Sequence, residues 1–376
     1  MTDTPAKPLG DNHFPCPSCG ADLHFSPGEG QLVCDHCGHA EPLRTERKTG
    51  SIPEMSFRAG IEAALPDAET EARQLSRCPN CGAEVTFDAN VHSTDCPFCA
   101  TPVVIDPGLT RRIRPKGVAP FILTEPEARA AMTTWLGRLW FAPSGLVDYA
   151  RNGRPLEGVY LPFWTFDAAT TSDYTGQRGT TYYVTEAVQV RDAQGRVRTE
   201  MRQVPRIRWT AASGRVSRFF DDVLVLASRA LPQRYTTALQ PWDLAQLEPY
   251  QPEYLAGFHS ETYTISLDDG MSEARAFMDQ MIDRDVRFDI GGDRQQVSSI
   301  NTEVSGVTFK HVLLPVWSAA YRFQGKSFRF VVNGQNGKVE GERPWSMVKI
   351  GFAILAGVIV IGAAIWLGQY ANLQQP

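Results

Sequence analysis

The sequence predicts a multidomain chain with two small cysteine-rich modules, a β-rich α+β body and one C-terminal transmembrane helix. Three observations predict this order. All eight cysteines lie within the first 99 residues, the centre of the chain is rich in Val, Thr, Tyr, Phe and Trp, and an uncharged run of nineteen residues lies near the C-terminus. With 376 residues, of which 43% are hydrophobic and 21% charged, the composition is typical of a globular protein with two or three domains.

Composition shifts divide the chain into six segments. The N-terminal fourteen residues are polar, contain Pro5 and Pro8, and carry no secretory signal. The cysteines are therefore expected in the cytosol, where paired thiols are more often metal ligands than disulfides. The segments are the first module (1–45), a partly helical linker (46–76), the second module (77–105), a basic linker (106–118), the body (119–342) and the membrane anchor (345–370).

The cysteines form two copies of one motif, in which two CxxC pairs are separated by fourteen residues. The copies are offset by 62 residues, and the sequence from Cys16 to Phe25 aligns with that from Cys78 to Phe87, which indicates an internal duplication. The first copy contains Cys16, Cys19, Cys34 and Cys37, and the second contains Cys78, Cys81, Cys96 and Cys99.

This spacing is typical of structural zinc sites. Two residues between cysteines allow one tight turn to direct both sulfurs at an ion about 2.3 Å away. Gly20, Gly38 and Gly82 follow the second thiol of their pairs, where a positive φ is often needed. Two such turns joined by a short hairpin form a zinc ribbon, so the sequence predicts two structural zinc ions. Because sulfur fills all four corners, neither site has an open position for catalysis.

Other interpretations of the cysteines remain open at this point. Iron bound in rubredoxin-like turns is the main metal alternative, and disulfides or unligated thiols are disfavoured by the compartment and by the duplicated spacing. Five of the seven histidines lie in the same region, but each site already has four ligands. We interpret these histidines as surface or packing residues: His13, His24, His36, His39 and His92.

Three segments are predicted to be helical. Phe57 to Leu75 looks partly helical and is broken by Pro66. Thr124 to Leu139 is a stronger prediction, because Thr124 and Glu127 form a capping box and Pro143 follows. Met271 to Ile290 has a similar apolar stripe. The stripe residues are Ala128, Met132, Trp135 and Leu139 in the second segment, and Ala274, Phe277, Met278, Met281 and Ile282 in the third.

The remainder of the body, 156–267 and 297–339, is predicted to consist of strands. Two phrases resemble each other, Val159-Tyr-Leu-Pro-Phe-Trp164 and Val312-Leu-Leu-Pro-Val-Trp317, and each is expected to start a strand with its proline and direct its tryptophan inward. They represent either a second, degenerate duplication or two unrelated core strands. Asn333-Gly334 and Asn336-Gly337 are hairpin-turn signals.

No motif in the body supports an enzyme. The sequence Gly325-Lys326-Ser327 matches the loose phosphate-loop pattern, but bulky residues precede it and a strand-like run follows it, so no helix N-terminus would hold a phosphate. Asp221 and Asp222 open an apolar strand, and adjacent carboxylates on a strand point to opposite faces. The chain has no HExxH or GxSxG motif. We expect a non-enzymatic protein.

Nucleic-acid binding is disfavoured by charge. The whole chain has a formal net charge of −5, and residues 1–118 carry 11 Lys and Arg against 16 Asp and Glu, again −5. Each four-thiolate zinc site adds about two negative charges, which would repel phosphates. A basic stretch near Trp209 is the counter-argument, although its residues alternate along a strand and could form a solvated face: Arg202, Arg206, Arg208, Arg215 and Arg218.

The C-terminal apolar run predicts a single-pass anchor in the plasma (inner) membrane. Ile350 to Gly368 would span about 28 Å as a helix, close to the bilayer core of about 30 Å. Arg343 and Lys349 precede the run and no basic residue follows it, so the positive-inside rule places the N-terminal body in the cytoplasm. Small residues spaced four apart would let two such helices approach, which is compatible with a homo-oligomer. These are Ala353 with Gly357 and Ala364 with Gly368.

The layout resembles a bacterial family with two N-terminal zinc ribbons, a β-rich middle and a C-terminal membrane segment, often labelled as similar to the primosomal helicase. The resemblance rests on Cys16 to Cys99, on the Leu-Pro-x-Trp phrases and on Val332 to Lys338. It implies a membrane adaptor, because some relatives work beside flotillin-like (SPFH) and phage-shock-type proteins. The helicase label does not fit, since the chain lacks a credible nucleotide site. The alternatives are a membrane-tethered nucleic-acid-binding protein and an enzyme with an unrecognised site in the body.

Overall fold

The computed structural model describes residues 14–43, 52–62, 65–66, 70–74, 76–86, 93–99, 101–104, 109–141, 156–191, 195, 197–323, 326–342 and 346–373. Several residues used in the predictions lie outside these ranges: His13, His92, Pro143, Gly325, Arg343 and Trp345.

The N-terminal part consists of short strands grouped around the cysteines and along the linkers. A three-stranded antiparallel sheet, β1–β2–β3, stands alone, whereas β6 and β7 belong to the main sheet of the body. The strands are β1 (His24–Ser26), β2 (Gln31–Val33), β3 (Ala40–Pro42), β4 (Met55–Ser56), β5 (Thr70–Gln74), β6 (Ser76–Arg77), β7 (Glu84–Thr86), β8 (Ser93–Asp95), β9 (Pro102–Val104), β10 (Leu109–Ile113) and β11 (Gly117–Val118).

Three very long antiparallel strands form the body. They are β12 (Glu157–Arg191), β13 (Val197–Leu226) and β16 (Arg294–Phe323), of 35, 30 and 30 residues. β12 lies in the middle and pairs with β13 up to Arg191, but with β16 only as far as Gly179. The remaining strands flank the end where β12 begins: β14 (Glu248–Pro249), β15 (His259–Glu261), β17 (Lys326–Asn333) and β18 (Val339–Gly341).

Five α-helices and two short 3-10 helices, Leu244–Gln246 and Pro252–Leu255, lie in the described residues. α2 begins with the predicted capping box, in which the Thr124 N–H donates to the Glu127 carboxylate at 2.8 Å. α4 is capped by Ser266 and begins at Leu267, four residues before the predicted start, and it ends at Ile290 as predicted. The helices are α1 (Phe57–Ile61), α2 (Glu125–Gly137), α3 (Gln233–Ala238), α4 (Leu267–Ile290) and α5 (Met347–Leu373).

α4 covers one face of the three long strands. Its buried residues recur every four positions, which is the spacing of one helical face. Gly270 lies so close to the sheet that a Cβ would come within 2.6 Å of the Trp164 ring, so a side chain there would push the helix away. The buried residues of this face include Ala274, Met278, Ile282, Val286 and Ile290, all at most 2% exposed.

Several predictions about the elements are wrong in detail. Within its described residues, the segment from Phe57 to Leu75 is helical only in α1, and Thr70–Gln74 is a strand because it pairs with β10. Phe277 lies on the outer side of α4 and is 49% exposed, since the buried stripe passes through Met278 instead. In α2, Leu136 is buried together with the predicted Ala128 and Met132.

The two tryptophan phrases lie on separate strands that pair with each other. The first lies near the start of β12, as predicted, whereas the second lies well inside β16. Leu161 lies opposite Leu314, and the two strands run antiparallel through both phrases. Trp164 and Trp317 are buried as predicted, but Pro315 lies near the end of β16, because that strand begins at Arg294. The Asn-Gly turns are confirmed, since they connect β17 to β18.

The C-terminal helix is long and apolar enough to cross a membrane. Its apolar part, Met347–Trp366, is 20 residues long, and none of it is buried against the rest of the chain. A buried core helix would pass the same tests of length and composition, but this helix has no protein cover.

Candidate metal centres

Each described CxxC turn is closed by backbone hydrogen bonds. In the first turn the Gly20 N–H donates to the Cys16 carbonyl at 2.9 Å, and the Cys16 N–H donates to the Ala21 carbonyl at 2.7 Å. The same pair of bonds closes the turns at Cys34 and Cys78. The glycines that end these three turns have φ values of 77°, 72° and 75°, in the region where a side chain is strained: Gly20, Gly38 and Gly82.

The turns bring the eight predicted cysteines into two groups of four. We name these cluster 1 (Cys16, Cys19, Cys34, Cys37) and cluster 2 (Cys78, Cys81, Cys96, Cys99). Within each cluster the four sulfurs lie within 4.8 Å of one another.

The sulfur separations fit a metal ion and exclude disulfides. In cluster 1 Cys16 lies 3.6 Å from Cys37, and in cluster 2 Cys81 lies 3.6 Å from Cys96. A disulfide requires about 2.05 Å, whereas the edge of a tetrahedron with zinc–sulfur bonds of about 2.3 Å is about 3.8 Å. All eight cysteines are free, and the two clusters could each hold one metal ion.

One thiol in each cluster favours the charged form that a metal requires. The Cys96 thiol donates to Cys81 and lowers the pKa of the Cys81 thiol to about 5. Burial raises the pKa of Cys16, but the Ser18 and Cys19 N–H groups outweigh burial and lower it to about 6. Thiolates bind zinc and thiols do not, so these hydrogen bonds prepare the clusters for a cation.

Cluster 1 lies at the surface. Cys16 and Cys34 are buried, but Cys19 and Cys37 are exposed. The buried pair packs with Phe25 in a core that continues into α2 and the start of β12. The predicted hairpin between the two turns is present, because β1 pairs with β2.

Cluster 2 lies inside the body. Cys78, Cys96 and Cys99 are at most 4% exposed and pack in one core with Phe98 and strands β12 and β16. The strand after the first turn, β7, pairs with β6 on one side and with β15 on the other. Through these pairings β7 joins the main sheet of the body, whereas β8 and β9 of the same module pair only with each other in the described residues.

A buried carboxyl lies near cluster 2. Burial raises the pKa of Glu261 well above its usual range, and its Oε1 accepts a hydrogen bond from Ser228 Oγ at 2.6 Å. A neutral Glu261 adds no negative charge near cluster 2, where four thiolates would already carry more negative charge than a divalent ion neutralises.

Three of the histidines predicted to be surface or packing residues lie near cluster 1: His24, His36 and His39. His24 Nδ1 lies 3.4 Å from an Asp35 carboxylate oxygen, and His39 Nδ1 lies 3.4 Å from Ser18 Oγ. His36 is exposed. None of the three belongs to either group of four.

Sequence reasoning missed a buried polar cluster in which a lysine meets three carboxylates. Lys310 Nζ lies 2.7 Å from Asp222, 3.3 Å from Glu54 and 3.6 Å from Asp167. Asp222 has φ 51° in a bulge of β13 and donates its N–H to Asp167 at 2.6 Å. Asp221-Asp222 therefore lies at a bulge inside β13 and does not start a strand, and Asp is one of the residues that tolerate the positive φ found there.

Glu54 connects this polar cluster to the linker between the two cysteine clusters. It precedes β4, which pairs with β16 at Phe309, and it accepts a hydrogen bond from Thr308 Oγ1. Burial, aided by the hydrogen bond with Glu54, raises the pKa of Asp167 to about 6. The same hydrogen bond, aided by that from Thr308, lowers the pKa of Glu54 to about 2. The linker is thus held to the body by an ionic contact.

Two further predictions concern the body. Lys326 begins strand β17, so it does not lie at a helix N-terminus where a phosphate loop would need it. The predicted basic stretch lies on β13, where Arg215 and Arg218 form ion pairs with Asp173 and Asp285 at 2.6 Å.

Comparison with known proteins gives one relative over nearly the whole chain. The chain is 27% identical to the uncharacterized protein YdjG of Bacillus subtilis (strain 168) over 355 residues, which cover 92% of this chain and 94% of the relative. No protein-family profile matches the chain, and no solved structure matches it. The likeness therefore extends over nearly the full length of both chains and is not confined to one module.

Proposed function

We propose that the protein is a membrane-anchored zinc-ribbon adaptor whose cytoplasmic body docks protein partners at the plasma membrane. The observation that carries the proposal is the placement of the clusters. Both are closed four-sulfur groups packed against the cores of the body, so the ions would act as structural supports. The apolar helix α5 then ties this body to the bilayer.

Each part of this arrangement has a role in an adaptor. Zinc, held by four thiolates per cluster, would replace the large core that small modules lack. The anchor would fix the distance of the body from the membrane. The long strands would extend away from the membrane and present a surface for a partner. Flotillin-like (SPFH) and phage-shock-type membrane proteins are the partners that the family resemblance implies.

The topology is tested by fractionation. Full-length protein should stay in membranes through carbonate and high-salt washes, whereas a fragment ending at Arg343 should be soluble. Protease added outside spheroplasts should spare both cysteine modules. Cleavage of the modules with the membrane intact would reverse the orientation and remove the cytosolic argument for zinc.

The docking role is tested in membranes. A photo-crosslinking amino acid placed at exposed positions of the body should yield one reproducible protein adduct, absent when the anchor is deleted. The SPFH or phage-shock identity is then read by mass spectrometry. Adducts to the chain itself only, or none at any position, would contradict the adaptor function.

A second candidate, membrane-tethered nucleic-acid binding, is favoured by one observation. Arg208 lies 5.1 Å from the ring centre of Tyr182 on an exposed part of the long strands. Arginines interleaved with aromatic rings are typical of single-strand binding surfaces. Binding to single- and double-stranded DNA that falls with salt by the slope of several phosphate contacts would support this alternative.

A further inference from the structure

The far end of the long strands is a two-stranded ribbon. β16 begins at Arg294, opposite Gly179, so β12 beyond Gly179 pairs with β13 alone in the described residues. We name residues 180–191 and 197–208 the distal hairpin. Two-stranded ribbons are marginally stable in water, and this one extends past the cover of α4, which ends at Ile290.

The β12 edge of the distal hairpin is open and regular. The Thr181 N–H points outward, because it donates to Asp293 Oδ2 at 2.6 Å. In an antiparallel ladder the outward groups alternate, so every second residue from Tyr183 to Arg191 also presents its N–H and C=O to this edge. The stretch from Thr180 to Val190 contains no proline, glycine or bulge and is rich in Thr, Tyr and Val, which favour strands.

The outer edges of the other two long strands are interrupted. On β13, Pro205 occupies an outward position opposite Tyr183 and has no N–H to offer. On β16, the register with β12 slips near Ser298 and Gly306, so that edge is bulged twice. Prolines and bulges are devices that stop sheet edges from pairing with other chains. The distal β12 edge has neither a proline nor a bulge. This difference indicates that its backbone groups can pair with a strand of another chain.

The two faces of the distal hairpin differ in charge. One face is uncharged from Thr181 to Gln189 and leaves Tyr183 65% and Met201 70% exposed. The other face carries most of the charge of the hairpin, which has five arginines and two glutamates in its described residues. The charged residues of this second face are Arg198, Arg202, Arg206, Arg208, Glu186 and Glu200.

We propose that the distal β12 edge accepts an extended strand of an acidic protein segment, in which acidic residues alternate with apolar or β-branched ones. This proposal rests on the adaptor function and names its docking surface. The acidic side chains would lie over the arginine face, and the alternate residues would extend the uncharged face. Backbone hydrogen bonds from Tyr183 to Arg191 would supply the pairing, as in other strand-addition complexes.

The arginines can reach such a strand. Two strand spacings of about 4.8 Å separate β13 from a strand added to β12. Arg206 and Glu186 lie four residues out of register, yet their side chains meet at 2.6 Å. An arginine on β13 and a carboxylate can therefore meet across more than the distance from β13 to the added strand. The β12 side chains that lie between them on this face, such as Val184 and Val188, are short.

Other occupants fit less well. A nucleic acid or a lipid headgroup would form ion pairs with the arginines. It would not pair with the alternating N–H and C=O groups or cover the exposed apolar side chains. A second copy would bring a hairpin of the same positive charge. The bilayer is also distant, because α5 follows strands at the Glu157 end of β12, and the 35 residues of β12 span about 110 Å.

The test uses full-length protein in detergent micelles and a labelled nine-residue peptide that alternates glutamate with valine or threonine. Fluorescence anisotropy should show saturable one-to-one binding. A peptide with lysine in place of every glutamate should bind at least tenfold more weakly. A glutamate-only peptide should also bind at least tenfold more weakly, since it lacks β-branched residues.

Two proline variants form a matched pair. Thr185 and Gln203 lie directly opposite each other, and each directs its N–H outward on its own edge. Thr185→Pro should weaken the glutamate–valine peptide at least tenfold, whereas Gln203→Pro should leave its affinity within about twofold. Neither change removes a hydrogen bond inside the hairpin, and far-ultraviolet circular dichroism checks that both variants fold.

A charge reversal gives an independent measurement. The double variant Arg198→Glu with Arg202→Glu should invert the preference, so that the lysine peptide binds better than the glutamate peptide. The proposal is overturned if neither peptide binds, if both prolines weaken binding equally, or if single-stranded DNA competes with the peptide more strongly than free peptide does. Crosslinked partners that persist in Thr185→Pro membranes would refute the edge while leaving the adaptor function intact.

Discussion

Clusters 1 and 2 have the same cysteine spacing but different surroundings. Cluster 1 is built on its own three-stranded sheet and leaves Cys19 and Cys37 exposed. Cluster 2 shares the main sheet of the body and has three cysteines that are at most 4% exposed. The comparison teaches that spacing determines the shape of a metal site, while the residues around the thiols determine how strongly the site supports the rest of the fold.

The residues between the last two cysteines of each cluster show this difference. In cluster 1 they are Asp35 and His36, which are exposed. In cluster 2 they are Pro97 and Phe98, and Phe98 is completely buried. The Pro97 carbonyl accepts a hydrogen bond from Ser318 on β16, so this turn is attached directly to the body.

The largest expected effect is on stability. Cys96→Ser should lose one zinc ion and lower the melting temperature of the body by more than about 10 °C, because a structural zinc site contributes on the order of 10 kcal/mol to local folding. Cys16→Ser should also lose one ion but shift the body transition by less than about 3 °C. Calorimetry and elemental analysis measure both. Equal shifts of the melting temperature in the two variants would show that the burial of cluster 2 in the body does not add to stability. Iron found in place of zinc would show that the metal was wrongly predicted.

The rate of metal release should also separate the clusters. A chromogenic chelator should remove one ion at least tenfold faster than the other, because it can reach the exposed sulfurs of Cys19 and Cys37. The fast phase should disappear in Cys16→Ser and remain in Cys96→Ser. A single phase for both ions in the wild type would mean that the clusters are equally accessible.

The linker between the clusters should respond to pH through Asp167. Its pKa is about 6 in the folded protein, above the ordinary value of about 3.9. A carboxyl whose pKa is raised by folding stabilises the protein at low pH and loses this contribution as the pH rises through the folded pKa. We expect the free energy of unfolding to fall by about 1 kcal/mol between pH 5 and pH 7 from this group.

Asp167→Asn is the control for that effect, because an amide keeps a donor beside Glu54 at every pH. Denaturation of the two proteins side by side should show that the wild-type fall with pH is absent from the variant. Glu54, with a pKa of about 2, contributes in the opposite direction, and that contribution is lost progressively as the pH falls from about 4 to about 2. Parallel curves for the two proteins from pH 5 to pH 7 would contradict the assignment.

The smallest expected effect lies in α2. Thr124→Ala removes the side chain of the capping box and should cost about 1 kcal/mol. Both metal ions should be retained, since neither cluster takes a ligand from this helix. Loss of an ion from this variant would mean that cluster 1 depends on the helix packed beside it.

The sequence was informative where a local rule decides the structure. The cysteine turns, the cap at Thr124 and the Asn-Gly turn before β18 all follow from contacts within a few residues. The pairing of β7 with β15 and the contact of Lys310 with Glu54 could not be predicted, because both join segments far apart in the chain. The length of β12 was also missed, because its sequence has no turn signal that marks where one strand ends and the next begins.

The order in which the long strands are synthesised has a consequence for folding. β12 and β13 are neighbours in the chain and can form their ladder early, but Glu157 must wait for Ser318, which is translated 161 residues later. Pairings between distant residues slow folding and expose unpaired edges meanwhile. Since α5 follows directly after β18, the body sheet closes and the apolar helix is completed in the same interval of synthesis.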